Sequence, residues 1–91
     1  MSKSVERFVR GDVVFEDMGG ETVMFDLTSR RLTTLNAAGR ILWDALEHPS
    51  TLDQLQAVLA ERFGLDAERA AADAGAFVSA LRARGLIALA P

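Results

Sequence analysis

The stretch Glu21 to Leu46, ETVMFDLTSRRLTTLNAAGRILWDAL, decides the fold. It reads as two short strands joined by a tight turn, with a helix starting at once. Thr22 to Leu27 is the first of these strands. Val23, Phe25 and Leu27 fall on one face, and Thr22, Met24 and Asp26 on the other. Thr28-Ser29-Arg30 makes the turn, and Arg31 to Leu35 is the second strand. Asn36 is a good N-cap for a helix opened by Ala37 and Ala38, because its side chain accepts from a free amide of the first turn. Ile41, Leu42, Ala45 and Leu46 recur at helical spacing and form its buried stripe. Trp43 lies off that stripe, and two roles are open to it: covering the sheet edge or meeting a partner.

Upstream, Phe8 to Glu16 reads as a strand, with Val13, Val14 and Phe15 as its β-branched and aromatic core. Met18-Gly19-Gly20-Glu21 turns it back, since paired glycines tolerate positive φ. The three strands form an antiparallel meander. Downstream, Pro49 closes a linker, and Thr51 with Gln54 fits a capping box. Leu52, Leu55, Leu59 and Phe63 are the expected buried stripe of the second helix, which Gly64 ends. Asp66 caps a third helix, Ala67 to Arg84, with Ala70, Ala74, Phe77, Val78 and Leu81 on its apolar face. Gly85 ends that helix, and Leu86 to Leu89 is an apolar tail suited to a last short strand. Strands followed by helices give an α+β domain with the helices on one side of the sheet. A winged-helix-like arrangement, a three-stranded antiparallel sheet followed by three helices, is the favoured architecture.

Ninety-one residues make one domain, and 49% hydrophobic residues allow it a packed core. Residues 1–7 read as a flexible N-terminal tail and residues 8–91 as the single domain. The net charge of -3 and pI of about 5.0 argue against a nucleic-acid partner. With no cysteine, disulfides and thiolate metal sites are excluded. The opening MSKSVERFVRGD has no apolar signal-peptide core, and no apolar run approaches the roughly 18 residues of a membrane span. A soluble cytoplasmic protein with no membrane partner is expected.

General acid–base catalysis needs a histidine or paired carboxylates held in a pocket. The one histidine, His48, stands beside Pro49 at a helix end, where it suits the helix C-terminus better than a metal. The acids are spread along exposed faces, and there is no phosphate loop or H-E-x-x-H. No enzymatic activity, cofactor or metal is therefore expected. A small domain with an exposed strand beside a helix works by binding, and the partner that suits a strand edge is an extended peptide.

Several pieces, in order, carry a family resemblance: Gly20-Glu21-Thr22-Val23, Asp26-Leu27, Leu35-Asn36 with Gly39 and Trp43, then Thr51, Leu55 and Leu59, then Asp73, Phe77, Leu81 and Gly85-Leu86-Ile87. Over roughly Gly11 to Leu89 the chain resembles the PqqD-like family, the peptide-binding domains called RiPP recognition elements. The resemblance implies a three-strand, three-helix winged-helix fold that binds the leader segment of a ribosomally made precursor peptide. It implies presentation of that peptide to a tailoring enzyme: a radical-SAM protein, a leader peptidase or a cyclase. Lasso-peptide and pyrroloquinoline quinone (PQQ) maturation are both open. In relatives the leader adds along the third strand in a groove shared with the third helix. Mapped here, the strand is Arg31, Leu32, Thr33, Thr34 and Leu35, and the facing helix line is Asp73, Phe77, Ala80 and Arg84.

Phe77, Leu32 and the small Ala80 are the candidate anchor pocket. Arg30, Arg31 and Arg84 are candidate partners for acidic leader residues at the rim. Phe77 also suits plain core packing, and Asp73 an ordinary exposed helix position. Where many relatives carry Gly-Arg and then aromatics, this chain has Arg30-Arg31-Leu32-Thr33, which leaves the geometry of the turn open. Two other readings stand beside this one. The domain is a structural or regulatory subunit of a larger enzyme, or a DNA-binding winged helix. The second is weakened by Asp66, Glu68 and Asp73 among the arginines of the third helix. A homodimer through the exposed strand or the apolar C-terminus is also open.

Overall fold

The computed structural model describes residues 5–91. Strands β2 (Val13–Met18), β3 (Glu21–Asp26) and β4 (Leu32–Leu35) form the expected antiparallel meander. Gly19 and Gly20 take φ of 61° and 93°, so a two-residue turn closes the β2–β3 hairpin at the Met18–Glu21 pair. The face of β3 turned to the core is Thr22, Met24 and Asp26, while Val23 and Phe25 are only half-buried and Leu27 is exposed. Polar residues can take the inner positions because each is satisfied there. The Thr22 hydroxyl donates to Asp17 Oδ1 at 2.8 Å, and Asp26 accepts from the Ser29 hydroxyl at 2.7 Å and the Thr28 amide at 2.9 Å.

The first strand expected from the sequence is in fact two. β1 (Arg7–Arg10) leaves off where β2 begins, on the far side of Gly11-Asp12. The reason is long-range: Gly11 donates its N–H to Leu86 O at 2.8 Å, and a Cβ there would lie 3.1 Å from the carbonyl oxygens of Gly85 and Leu86. β1 therefore pairs elsewhere. It is the centre of a second antiparallel sheet, with β5 (Ser50–Thr51) on one side and β6 (Ile87–Leu89) on the other. β6 is the apolar tail in its expected role, whereas β5 is a strand the sequence does not announce, in which Thr51 serves both as strand residue and as the cap of the next helix. Of the expected N-terminal tail, residues 1–4 lie outside the described residues, and strand pairing begins at Arg7.

The helices start where local chemistry places them. α1 (Ala37–Ala45) is capped by Asn36, whose Oδ1 accepts from Gly39 N at 2.9 Å. α2 (Leu52–Phe63) carries the full Thr51/Gln54 capping box and ends on Gly64 with φ 63°. α3 (Ala67–Ala83) is capped by Asp66, and Gly85 with φ 73° follows its end. One expectation fails on α2: Leu52 and Phe63 are exposed, and the buried line is Leu55 and Leu59. Both outliers sit at the ends of the helix, beyond the neighbours that cover its middle.

One core gathers both sheets and all three helices: Met24 and Leu35 from the meander, Leu42 and Trp43 from α1 with its C-cap Leu46, Leu55 and Leu59 from α2, and Ala70, Ala74, Val78 and Leu81 from α3. Phe8 and Ile87 close it from the second sheet, with Leu86 just before β6. Trp43 is fully buried, so of its two roles the structure gives it packing. α1 touches β3 and β4 on one side and α2 on the other, which widens its buried face beyond a single stripe. Arg10 reaches from β1 to donate to the Trp43 carbonyl from Nε (3.0 Å) and Nη2 (2.7 Å), capping the last turn of α1. No helix among the described residues is long and apolar enough to cross a membrane.

Candidate functional site

β4 is an edge strand, hydrogen-bonded only to β3. Asp26 N donates to Arg31 O at 3.0 Å and Arg30 N donates to Asp26 O at 2.7 Å, which is a bulge of two residues against one. Its first residue is ordinarily glycine; here Arg30 holds the left-handed conformation, φ 64°. The turn thus takes the left-handed conformation without a glycine and holds the arginine in a costly backbone state.

The bulge also sets the alternation along β4. With Asp26 and Arg31 joined, the register pairs Thr33 with Met24 and Leu35 with Thr22 in the hydrogen-bonded positions. The N–H and C=O groups of Leu32 and Thr34 consequently point away from β3, to the open edge. Across from that edge runs α3. Arg84 Nη1 spans the gap, donating to Thr33 Oγ1 at 3.2 Å.

Between strand and helix lie two depressions in line. One, of about 420 Å³, has Leu35, Leu42, Leu59, Phe77 and Ala80 in its lining, with Thr34 and Asp73 at its margin. The other, of about 600 Å³, lies at the hairpin end and is lined by Asp26, Ser29, Arg31, Thr33 and Arg84, with Leu32 beside them. The two together bring nine of the ten residues singled out from the sequence into one groove; Arg30 lines neither. The proposed anchor trio is divided. Phe77 and Ala80 share the apolar depression, but Leu32 belongs to the other and is 66% exposed. Leu32 pairs with Phe25, so its side chain lies on the outer sheet face, away from Met24 and Thr33.

Phe77 is half-buried against the core and lines the groove, so the packing and groove roles coincide in one side chain. Asp73 is engaged by Arg69 at 3.3 Å. Arg31 and Arg84 have no carboxylate within ion-pair distance among the described residues, unlike Arg10, Arg40 and Arg69. Asp26 is held below the usual carboxylate range, first by the Ser29 hydroxyl and then by the Thr28 amide, against the opposing effect of burial. It is thus a fixed anion already committed to its own turn.

Sequence reasoning missed Asp26 and Ser29 as groove residues, and Ala76 beside Phe77. Ala76 had a signal: it completes the i, i+3, i+4, i+7 line Asp73, Ala76, Phe77, Ala80. Asp26 and Ser29 had none, because only the fold brings their hairpin to the end of α3. No group of three or more His, Cys, Asp or Glu side chains among the described residues is placed to hold a metal.

Comparisons with known proteins bear on the fold and on the family. One solved structure, titled "TbiB1 in Complex with the TbiA(beta) Leader Peptide", superposes with a TM-score of 0.77 at 22% identity, covering 87% of this chain and 93% of that one. It shows the same fold. A search of curated proteins gave no match. Residues 21–87, from the start of β3 through both walls of the groove to the first residue of β6, match the family described as "Coenzyme PQQ synthesis protein D (PqqD)", and the chain belongs to that family.

Proposed function

We propose that this domain binds the leader segment of a ribosomally made precursor peptide by strand addition along β4, without chemistry of its own. The reading gives it the task of presenting the attached core segment to a tailoring enzyme: a radical-SAM protein, a leader peptidase or a cyclase. The observation that carries it is the open β4 edge facing α3 across a groove lined by both. Family membership and the leader complex of the structural neighbour support it.

The energetics assign different work to edge and groove. Leu32 and Thr34 offer four backbone hydrogen bonds, each worth about 1 kcal/mol net. Ordering a flexible peptide offsets most of that. An apolar side chain seated between Phe77 and Ala80 contributes about 1.5–3 kcal/mol more, and supplies the surplus. Holding the leader also concentrates the core segment at the enzyme it is tethered to.

The test is titration of a fluorescent leader peptide against the wild type and two variants. Thr34→Pro removes an outward N–H and leaves the β3 pairing intact, whereas proline at Thr33 would break that pairing. Ala80→Trp fills the apolar depression from an exposed position. Micromolar or tighter binding that both variants weaken tenfold or more, with circular dichroism unchanged, is expected. Binding indifferent to Thr34→Pro would refute strand addition.

A second reading, a subunit covered by a larger enzyme, draws on the outer sheet face. Val14, Met18 and Leu32 there are more than half exposed. Stable co-purification with one enzyme, unaffected by Thr34→Pro and lost in Val14→Lys, would favour it.

A further inference from the structure

The groove is not uniform along its length, and its two halves differ in chemistry. At the Leu35 end the lining is mainly apolar, with Leu35, Leu42, Leu59, Phe77 and Ala80, and its polar members Thr34, Asn36 and Asp73 include no cation. At the hairpin end Arg31 and Arg84 flank the opening, and neither has a carboxylate within 4.0 Å among the described residues. Asp26, in the same depression, keeps its negative charge, but its oxygens are turned to Ser29 and Thr28 and it forms no ion pair with either arginine among the described residues, so two cations against one anion leave this half net positive. Arg84 is aimed across the groove at Thr33, so its charge stands over the path of an added strand.

The alternation of β4 converts this difference into a spacing. An added strand hydrogen-bonds at Leu32 and Thr34. Its residues opposite Arg31, Thr33 and Leu35 then project to the same side as those side chains, toward α3. Successive groove-facing positions are two residues, or about 7 Å, apart. The position opposite Leu35 meets the apolar half, and those opposite Thr33 and Arg31 meet the basic half.

Resting on the strand-addition reading above, we propose that the groove selects a peptide carrying a large apolar side chain and an acidic side chain two or four residues apart, the acid seated between Arg31 and Arg84. An antiparallel strand presents the apolar residue first and a parallel strand presents the acid first. The even spacing is common to both. Groove-facing pairs at odd spacing are excluded, because one of the two would point to the outer face.

The experiment needs no known leader. A display library of random 12-residue peptides is selected on the folded full chain, on Arg31→Glu/Arg84→Glu and on Thr34→Pro. On the wild type the expected motif is a large apolar residue with Asp or Glu at two or four positions. On the charge-reversed variant Lys or Arg takes the acidic position while the apolar preference stays. A selected peptide with its acid changed to Lys loses about tenfold or more in affinity for the wild type and recovers on the reversed variant. A motif with an apolar position and no charge preference, or with odd spacing, overturns the inference and leaves strand addition standing if Thr34→Pro still fails to capture peptides. Equal capture by Thr34→Pro, or no enrichment on a folded wild type, overturns both.

Discussion

The β2-β3-β4 sheet has two open edges, and only one of them has a groove. Along β2 the outward backbone groups belong to Val13, Phe15 and Asp17, by the same alternation that fixes β4. The last two side chains are tied down. Phe15 lies between the guanidinium groups of Arg10 (5.6 Å) and Arg40 (4.9 Å) and meets the Trp43 ring edge-on at 6.1 Å. Asp17 accepts from Arg40, which also donates to Asp44 at 2.9 Å. The resulting pairing raises the Arg40 pKa, chiefly through Asp44. Along β4 the outward residues are Leu32 and Thr34, the facing arginines form no ion pair among the described residues, and a helix wall stands opposite. An unpaired edge is therefore not a site by itself. It becomes one where unspent side chains and a second wall stand beside it, and the β2 margin spends the same residue types on stability.

If that division is right, the largest losses of stability come from the β2 side of the core. Trp43→Ala removes a fully buried ring that supports Phe15 and Arg10, and a cost of about 3–5 kcal/mol is expected. That is a large part of the total for a domain of this size. Urea denaturation measures it. Ala80→Trp, on the other margin, should leave the midpoint nearly unchanged.

The next effect separates the edges without any mutation. When a bound peptide pairs with β4, amide exchange at Leu32 and Thr34 should slow by about tenfold or more, as solvent-facing amides acquire partners. Exchange at Phe15 and Asp17 should stay as it is in the free protein. Protection at the β2 amides instead would move the site to the other edge.

How much of this was legible beforehand depended on the range of the interaction. Asn36, Thr51 with Gln54 and Asp66 marked their helices because a cap acts within three residues. Gly19-Gly20 marked its turn for the same reason. The break at Gly11 was invisible, because its cause is the carbonyls of Gly85 and Leu86. So was β5, two residues whose strand character exists only through Arg7 and Phe8. The inner face of β3 ran against hydrophobicity, since Thr22 and Asp26 find their partners in Asp17 and Ser29. In the groove, the α3 line followed from helical period, while the split between apolar and basic halves needed the hairpin to be placed against the end of α3.

A smaller effect tests Asp26, which serves the turn that aligns β4. Its folded pKa lies below the ordinary value of about 3.9. A carboxylate lowered on folding contributes stability above its unfolded pKa and loses it as pH falls through the folded one. The stability of the wild type should therefore fall on acidification below about pH 4. Asp26→Asn should be less stable at neutral pH and flatter over that acid limb, as followed by thermal denaturation from pH 2 to 7. Ser29→Ala, which removes the largest cause of the shift, should flatten it in part.

The smallest effect is a gain. Arg30 occupies a left-handed position in the bulge where a β-carbon costs roughly 1–2 kcal/mol. Arg30→Gly relieves that cost but adds freedom to the unfolded chain, so a net stabilisation of about 0.5–1 kcal/mol is expected. Arg30 lines neither half of the groove, so peptide affinity should stay within about twofold unless its charge acts at a distance. The two readouts then sort the arginines. A gain in stability at unchanged affinity makes Arg30 a tolerated misfit in the turn. A gain in stability with a loss of affinity that added salt also produces in the wild type makes its charge part of the attraction that brings an acidic peptide to Arg31 and Arg84.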